Sequence, residues 1–322
     1  MKWCALLLMV MLSFSTYSQS SFEFVVIPDT QTYVEEFPDI YMKQMKWVAS
    51  QGKRFSFVLH VGDITQNNSD EEWQIARKGL ALLDGKVPYH LALGNHDMGS
   101  RPGKFADTRN SSLANRYFSY NNYAKNNNII ASFPANQIDN SCAEYVLIKL
   151  SWLVCSLEFG PRDKTIAWVK SVIKNHPQHR VIFNTHSYLY EDNTLQDGDD
   201  WYLPQGYGVG KEEGDEQVNH GGQLWNKLVK STPHSIMVFS GHILGTGVGQ
   251  LVNQNDNEKN VYQMLANYQK NVKGVERGDS GYLRIIKVDK AANTISVKTF
   301  SPWLNKYKTD PEHEFSFTEV DL

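Results

Sequence analysis

Leu93-Gly94-Asn95-His96-Asp97 is the stretch on which the reading of the fold turns. It closes an apolar run, Val87-Pro88-Tyr89-His90-Leu91-Ala92-Leu93, that has the character of a buried strand. A glycine stops the strand, and an amide, an imidazole and a carboxylate follow without a break. Polar groups at the carboxyl end of a hydrophobic strand are where an open α/β sheet places its ligands.

Upstream, Phe22 to Pro28 is a second apolar strand and ends in Asp29-Thr30-Gln31. A helix is expected over about Ile40 to Ser50, with Ile40, Met45 and Val48 on one face. Phe55 to Val61 forms the next strand and ends in Gly62-Asp63-Ile64-Thr65-Gln66-Asn67. Asp70-Glu71-Glu72-Trp73 then opens a helix with acids in its first turn, which suits the helix dipole. The order β-α-β-α-β brings Asp29, Asp63 and Asn95 to three strand ends, spaced 34 and 32 residues apart. Right-handed crossovers put all three on one edge of a parallel sheet.

Downstream, residues from about Gly99 to Asn140 are rich in Asn, Ser and Tyr without a clear period and read as a long surface insertion. A hairpin follows (Tyr145 to Leu150, then Leu153 to Leu157), and then a helix around Lys164 to Lys174. Arg180 to Phe183 is a strand ending in Asn184-Thr185-His186. Glu191 to Gly222 is a second insertion, acidic and Gly-rich, with Trp201, Tyr202 and Tyr207. A helix over Gln223 to Lys230 leads to a strand, Ser235 to Phe239, ending in Ser240-Gly241-His242. The tail alternates in strand fashion from Gly281 to Val288 and from Thr294 to Phe300, with a further short strand near Glu314 to Thr318. Two opposed sheets with helices outside account for this order, a mixed α/β fold.

The chain of 322 residues, 41% hydrophobic with a formal net charge of -3, is long enough for one large domain with insertions. A near-neutral balance without a Lys/Arg stripe argues against a dedicated nucleic-acid binder. Lys2 precedes an apolar run from Ala5 to Phe14, and Thr16-Tyr17-Ser18 offers small residues for cleavage, so residues 1–18 read as a secretory signal peptide. The run is too short for a membrane span, and Cys4 lies ahead of it, unlike the acylated cysteine of a lipoprotein. The mature chain, 19–322, is therefore expected to be secreted or periplasmic, with no integral membrane segment. Export leaves Cys142 and Cys155. A tight turn near Ser151 sets Cys155 opposite Val146, so two buried thiols are expected rather than a disulfide, although the compartment permits one.

Five strands thus end in Asp29/Gln31, Asp63, Asn95/His96/Asp97, His186 and His242. Carboxylates with neutral imidazoles and an amide oxygen suit divalent or trivalent ions such as Mn, Fe or Zn. A carboxylate can bridge two ions, and Asp63, in the middle of the sheet, is the natural bridge. Two ions roughly 3.5–4 Å apart clamp a phosphoryl group and hold a hydroxide for in-line attack. One acid must then protonate the leaving oxygen. His96 fits, with Asp97 beside it to orient the imidazole.

This order of motifs resembles the calcineurin-like metallophosphoesterases, which carry Asp-x-His, Gly-Asp, Gly-Asn-His-Asp/Glu, a lone His and Gly-His-x-His. Here they stand as Asp29-Thr30-Gln31, Gly62-Asp63, Gly94-Asn95-His96-Asp97, His186 and Gly241-His242-Ile243-Leu244. The resemblance implies a four-layer α-β-β-α sandwich, two metal ions and hydrolysis of phosphate mono- or diesters. Two positions depart from it: Gln31 and Leu244 stand where the family has histidines, both at the metal site that holds Asp29. The other site keeps Asp63, Asn95, His186 and His242. One firm site is therefore expected beside a thinned one built on Asp29, Asp63 and the Gln31 carbonyl.

His60 and His90 lie inside strands and read as core histidines; His176, His179, His234 and His313 read as surface. Gln66 and Asn67, directly after Asp63, are candidate substrate contacts, and His220 is a weaker one. The carboxylates between Asp192 and Asp200 miss the spacing of a calcium loop and read as a solvated acidic loop. Trp201, Tyr202 and Tyr207 fit either a lid over a sugar or base or an anchor for a long loop. The expected activity is that of an exported metal-dependent phosphoesterase acting on a small phosphorylated substrate, not a nucleic-acid polymer. The alternative is a degenerate, non-catalytic or mono-metal relative that binds a phosphorylated glycan, lipid or nucleotide.

Overall fold

The computed structural model describes residues 20–273 and 280–322. The signal peptide expected at 1–18 lies outside the described residues.

Three parallel strands, β1 (Ser21–Ile27), β2 (Phe55–His60) and β3 (Tyr89–Leu91), start the first sheet, with Val58 between Val25 and Tyr89. The remaining strands are β4 (Ile129–Phe133), β5 (Asn140–Leu147), β6 (Leu150–Ser156), β7 (Arg180–Asn184), β8 (Ser235–Ser240), β9 (Val248–Gln254) and β10 (Asn260–Ala266). They are followed by β11 (Leu283–Asp289), β12 (Thr294–Ser301), β13 (Lys306–Lys308) and β14 (Phe315–Phe317). One sheet runs β13-β12-β11-β1-β2-β3 with β14 on β12; the other runs β4-β5-β6-β7-β8-β10-β9. The helices are α1 (Gln31–Glu36), α2 (Pro38–Ser50), α3 (Asp70–Leu80), α4 (Ser112–Tyr117), α5 (Tyr120–Asn126), α6 (Asp163–Lys174) and α7 (Gly221–Leu224). A π turn, Trp225–Val229, continues α7. A reciprocal cap between Ser69 and Glu72 fixes the start of α3 just beyond the Asp63 loop.

Alternation along β1 builds the layers. Val25 and Ile27 pack with Tyr41, Met45 and Trp73 of the helices, whereas Phe22, Phe24 and Val26 face Phe57, Trp152 and Phe239 in the space between the sheets. Leu153, Val181, Phe183 and Val238 cover the far face of the second sheet together with Ile166, Val169 and Leu228. A strand buried on both faces must be apolar throughout, which is why the strands read as continuous runs. The result is the expected four-layer α-β-β-α arrangement.

Three readings of the sequence change. Cys142 and Cys155 are joined in a disulfide. The hairpin turns at Ile148-Lys149, both in the left-handed region (φ 49 and 62), so Leu147 faces Leu150 and Cys142 faces Cys155. Neither turn residue is the Asn or Gly that a two-residue hairpin ordinarily shows, so the turn is placed too late from sequence. The aperiodic stretch after Gly99 contains α4, α5 and β4, and β4 pairs with β5 as an edge strand. His313 is buried, its ring packed on Tyr268 and its Nδ1 3.3 Å from that hydroxyl. Among the described residues no helix is long and apolar enough to cross a membrane.

Candidate metal centre and active site

The five polar strand ends converge on the carboxyl edge of the two sheets. Asp29 follows β1 with φ 23, Asp63 follows β2 with φ 48, and His242 follows β8 with φ 74. Left-handed backbone is costly for residues with a Cβ and clusters where function demands a particular side-chain direction. Close approach requires glycine at two neighbouring positions: a Cβ on Gly94 would lie 2.1 Å from Asp63 Oδ1, and one on Gly241 would lie 2.1 Å from Asp29 Oδ2.

Asp63 sits at the centre. Its Oδ1 accepts from the backbone N–H of His96 at 2.9 Å, and its Oδ2 accepts from Gln31 Nε2 at 3.1 Å and lies 3.1 Å from His186 Nε2. His186 donates Nδ1–H to the Val61 carbonyl at 2.8 Å, and His242 donates Nε2–H to the Tyr202 carbonyl at 2.7 Å. A carbonyl only accepts, so both tautomers are set. His186 Nε2 and His242 Nδ1, the nitrogens left over, then lie 3.1 Å apart, and a proton on His186 Nε2 is shared with Asp63 Oδ2 and His242 Nδ1 until an ion replaces it. The backbone N–H of His242 donates to Asp29 Oδ1 at 2.9 Å.

Asp29 Oδ2, Gln31 Oε1 and Asn95 Oδ1 are buried with no hydrogen-bond partner. One such oxygen costs about 1–3 kcal/mol, and all three lie on the strand ends that carry Asp63, His186 and His242 or beside them, where a cation would satisfy them. Asp63, His186 and His242 can offer ligand atoms within 4.8 Å of one another. Carboxylate, imidazole and amide donors fit an ion of intermediate hardness. The residues present therefore fit a metal centre, with Asp63, Asn95, His186 and His242 on one side and Asp29 and Gln31 on the other.

The titratable groups carry the same signature. Burial raises the Asp29 carboxyl well above the usual range, against the nearby His186. Burial also opposes ionisation of Asp63, but the imidazoles of His186 and His96 outweigh it and hold Asp63 below the ordinary value. Burial works against a charged His186, yet Asp63 and Asp29 push it up to about 9. His242 falls to about 3 through burial and the neighbouring His186. Two imidazoles this close to each other and to Asp63 cannot share the charge equally, so His186 is raised and His242 lowered.

His96 reaches the cleft from the short turn Asn95–Asp97. Its Nδ1–H donates to the Gln66 carbonyl at 2.6 Å, and its ring lies 4.0 Å from that of Phe105. Asp97 does not orient this imidazole, contrary to the expectation. Its carboxylate accepts from the backbone N–H groups of Gly94 (2.9 Å), Ile64 (3.0 Å) and Thr65 (2.8 Å) and from the Thr65 hydroxyl (3.0 Å). These donors hold it to the Asp63 loop, and the Gln66 carbonyl takes over the orienting role.

The cleft, of about 300 Å³, is lined by Gln66 and Leu244 besides the central residues. Asn67 instead turns its amide to Glu35 and Glu72, at 2.8 and 2.9 Å. His220 caps α7 and donates to the Gln196 carbonyl at 2.8 Å; it is not among the cleft residues. His60 and His90 are buried within strands, and burial lowers both to about 3. His60 bonds Thr30 Oγ1, which in turn donates to the Ile64 carbonyl, so it ties the first two strand ends together.

Sequence reading missed Phe159 and the contribution of the Tyr202 backbone. The Phe159 ring stands 5.9 Å from His186, 5.2 Å from His242 and 5.1 Å from Tyr207. Tyr202 and Tyr207 line the cleft, whereas Trp201 is 73% exposed. No local pattern announces these contacts, because they are made between residues far apart in the chain.

A family model described as calcineurin-like phosphoesterase matches residues 22–246. The uncharacterized protein YvnB of Bacillus subtilis (strain 168) is 29% identical over 324 residues, which cover 95% of this chain and 22% of that protein. NAD nucleotidase of Haemophilus influenzae superposes with a TM-score of 0.44 at 11% identity, over 92% of this chain and 50% of the other. The 5'-nucleotidase precursor of Thermus thermophilus does so with a TM-score of 0.42 at 13% identity, over 92% and 54%. The chain thus spans under a quarter of the curated relative and about half of each of these two structures. With its motifs carried on matching strand ends across residues 22–246, the chain belongs to the calcineurin-like phosphoesterase family.

Proposed function

We propose that the chain is an exported, metal-dependent phosphoesterase acting on a small phosphorylated substrate. The observation that carries the reading is the donor set near Asp63: three buried, unpartnered oxygens, with His186 Nε2 and His242 Nδ1 3.1 Å apart. Asp63, Asn95, His186 and His242 would hold the firm ion, and Asp29 and Gln31 with a share of Asp63 a weaker one, with Mn, Fe or Zn the chemical match. When bound, such ions supply Lewis acidity toward phosphoryl oxygens and a water made acidic enough to act as nucleophile.

The chain's own residues supply the rest. His96, its Nδ1–H fixed by the Gln66 carbonyl, presents Nε2 to the cleft and in its protonated form gives that proton to the leaving oxygen. Gln66 stands beside it as a substrate contact. Phe159 and Tyr207 exclude water from the side of the two imidazoles. Export rests on the leader at residues 1–18 and gains support from the Cys142–Cys155 disulfide, which an oxidising compartment maintains.

The test is hydrolysis of p-nitrophenyl phosphate and of its bis ester by metal-stripped protein, with Mn, Zn, Fe, Mg and Ca added in turn. Metal-restored cleavage of either ester supports the reading. A folded protein that binds metal and cleaves neither ester favours the second reading, a binding module, whose motive is the leucine at position 244.

A further inference from the structure

Resting on that phosphoesterase reading, we propose that the substrate is a singly charged phosphodiester rather than a doubly charged monoester, selected by Glu35 and Glu36 at the mouth of the cleft. Both residues stand on the last turn of α1 and line the same cleft as His96 and Asp63. Among the described residues that line it, Lys270 alone carries an ammonium or guanidinium group. Its Nζ is engaged by both oxygens of Glu36, at 2.8 and 2.9 Å. Glu35 accepts a hydrogen bond from Asn67, a neutral amide that brings no compensating charge.

The remaining cleft-mouth groups, Thr32, Gln66, Gln269 and Asn271, are neutral. They can bond hydroxyl or ester oxygens but cannot offset a second negative charge. A phosphate monoester has a second pKa of about 6 and carries close to two charges above it. A diester carries one charge at every pH of interest. With the Glu36 charge offset by Lys270, the mouth keeps one net negative charge, at Glu35, and each additional charge brought beside it is penalised by like-charge repulsion, most strongly at low salt. The second ester group therefore lies on the Glu35/Glu36 side, as an uncharged moiety rich in hydrogen-bonding groups.

Two esters sharing one leaving group test the charge rule directly: p-nitrophenyl phosphate and methyl p-nitrophenyl phosphate, with metal-loaded protein at low salt and about pH 8. The methyl diester is expected to show the higher kcat/KM, by about tenfold, with the preference shrinking at about 0.5 M salt. Replacing both carboxylates (Glu35→Gln with Glu36→Gln) is expected to move the ratio of the two kcat/KM values about tenfold toward the monoester, and Glu35→Lys to move it in the same direction. Both sites are exposed on a helix end, and an unchanged melting temperature verifies that the variants fold. Wild-type preference for the monoester overturns the inference and leaves the phosphoesterase reading standing; so does a ratio unmoved by the variants. Cleavage of neither ester with any metal overturns the phosphoesterase reading, and this inference with it.

Discussion

His186 Nε2 and His242 Nδ1 face each other at 3.1 Å, each ring having committed its other nitrogen to a backbone carbonyl. In the metal-free protein, His186 is raised to about 9 beside Asp63, so a proton there contributes stability. That contribution is complete below the unfolded value of about 6.5 and is lost as pH rises through about 9. His242, His60 and His90, lowered to about 3, act in the opposite sense only on acidification. Between about pH 7 and 9 the metal-free protein should therefore lose roughly 5 °C of melting temperature. The metal-loaded protein should not, because the ion takes the proton's place. Apparent affinity for Zn or Mn should rise about tenfold per pH unit over the same range, as read by chelator competition. A flat affinity profile would dissociate His186 from the centre.

His96→Ala should lower turnover by about 10²–10³ and leave metal content intact, since its ring is held by the Gln66 carbonyl and is not needed for the ion. The loss should be larger for an alkyl ester than for a p-nitrophenyl ester, whose leaving group needs less protonation. Equal losses on both substrates would remove His96 from the role of general acid.

Asp97→Asn separates orientation from architecture. Asp97 accepts from three backbone N–H groups and one hydroxyl that tie the Asp63 loop to Gly94, and it does not touch the His96 ring. The amide would place an NH₂ against one of those donors and remove the charge that the others bind. A loss of about 2–4 kcal/mol in stability is expected, together with weaker metal retention. Turnover per bound ion, and the response of that turnover to leaving group, should stay near wild type. A change in leaving-group dependence like that of His96→Ala would restore the orienting role to Asp97.

The strand ends that carry the candidate ligands are legible in sequence because each candidate follows an apolar strand buried on both faces. Asp29, Asp63, Asn95, His186 and His242 are five local patterns; the βαβ order carries the first three to the carboxyl edge of one sheet and the last two to that of the other, and the stacking of the sheets brings the two edges together. What sequence does not carry are contacts made by the backbone or across long distances. The carbonyls of Gln66, Tyr202 and Val61 orient three imidazoles, yet any residue type has a carbonyl. Phe159 reaches the centre from beyond β6. Adjacency pairs Asp97 with His96, but its partners are backbone N–H groups 32 to 33 residues earlier and in its own turn. The hairpin register is hidden for a similar reason. Ile148 and Lys149 adopt left-handed backbone without a residue type that announces it, and the disulfide pairing depends on that turn.

Leu244→His tests whether the departures from the family pattern have thinned one side of the centre. Leu244 lines the cleft and offers no ligand, while Gln31 turns its amide nitrogen to Asp63 Oδ2 at 3.1 Å and leaves its carbonyl oxygen bare. On the Asp29 side this leaves one carboxylate, a share of Asp63 and an amide oxygen, a set that binds a transition ion less strongly than imidazoles do. Elemental analysis after desalting should find close to one tightly held ion per wild-type chain, with the second lost first on mild chelation. An imidazole at position 244 should raise retention toward two and shift the preference of the second ion from Mg or Mn toward Zn. Two ions held equally tightly by the wild type would mean that Asp29, Asp63 and Gln31 suffice by themselves, and that the missing histidines do not weaken the centre.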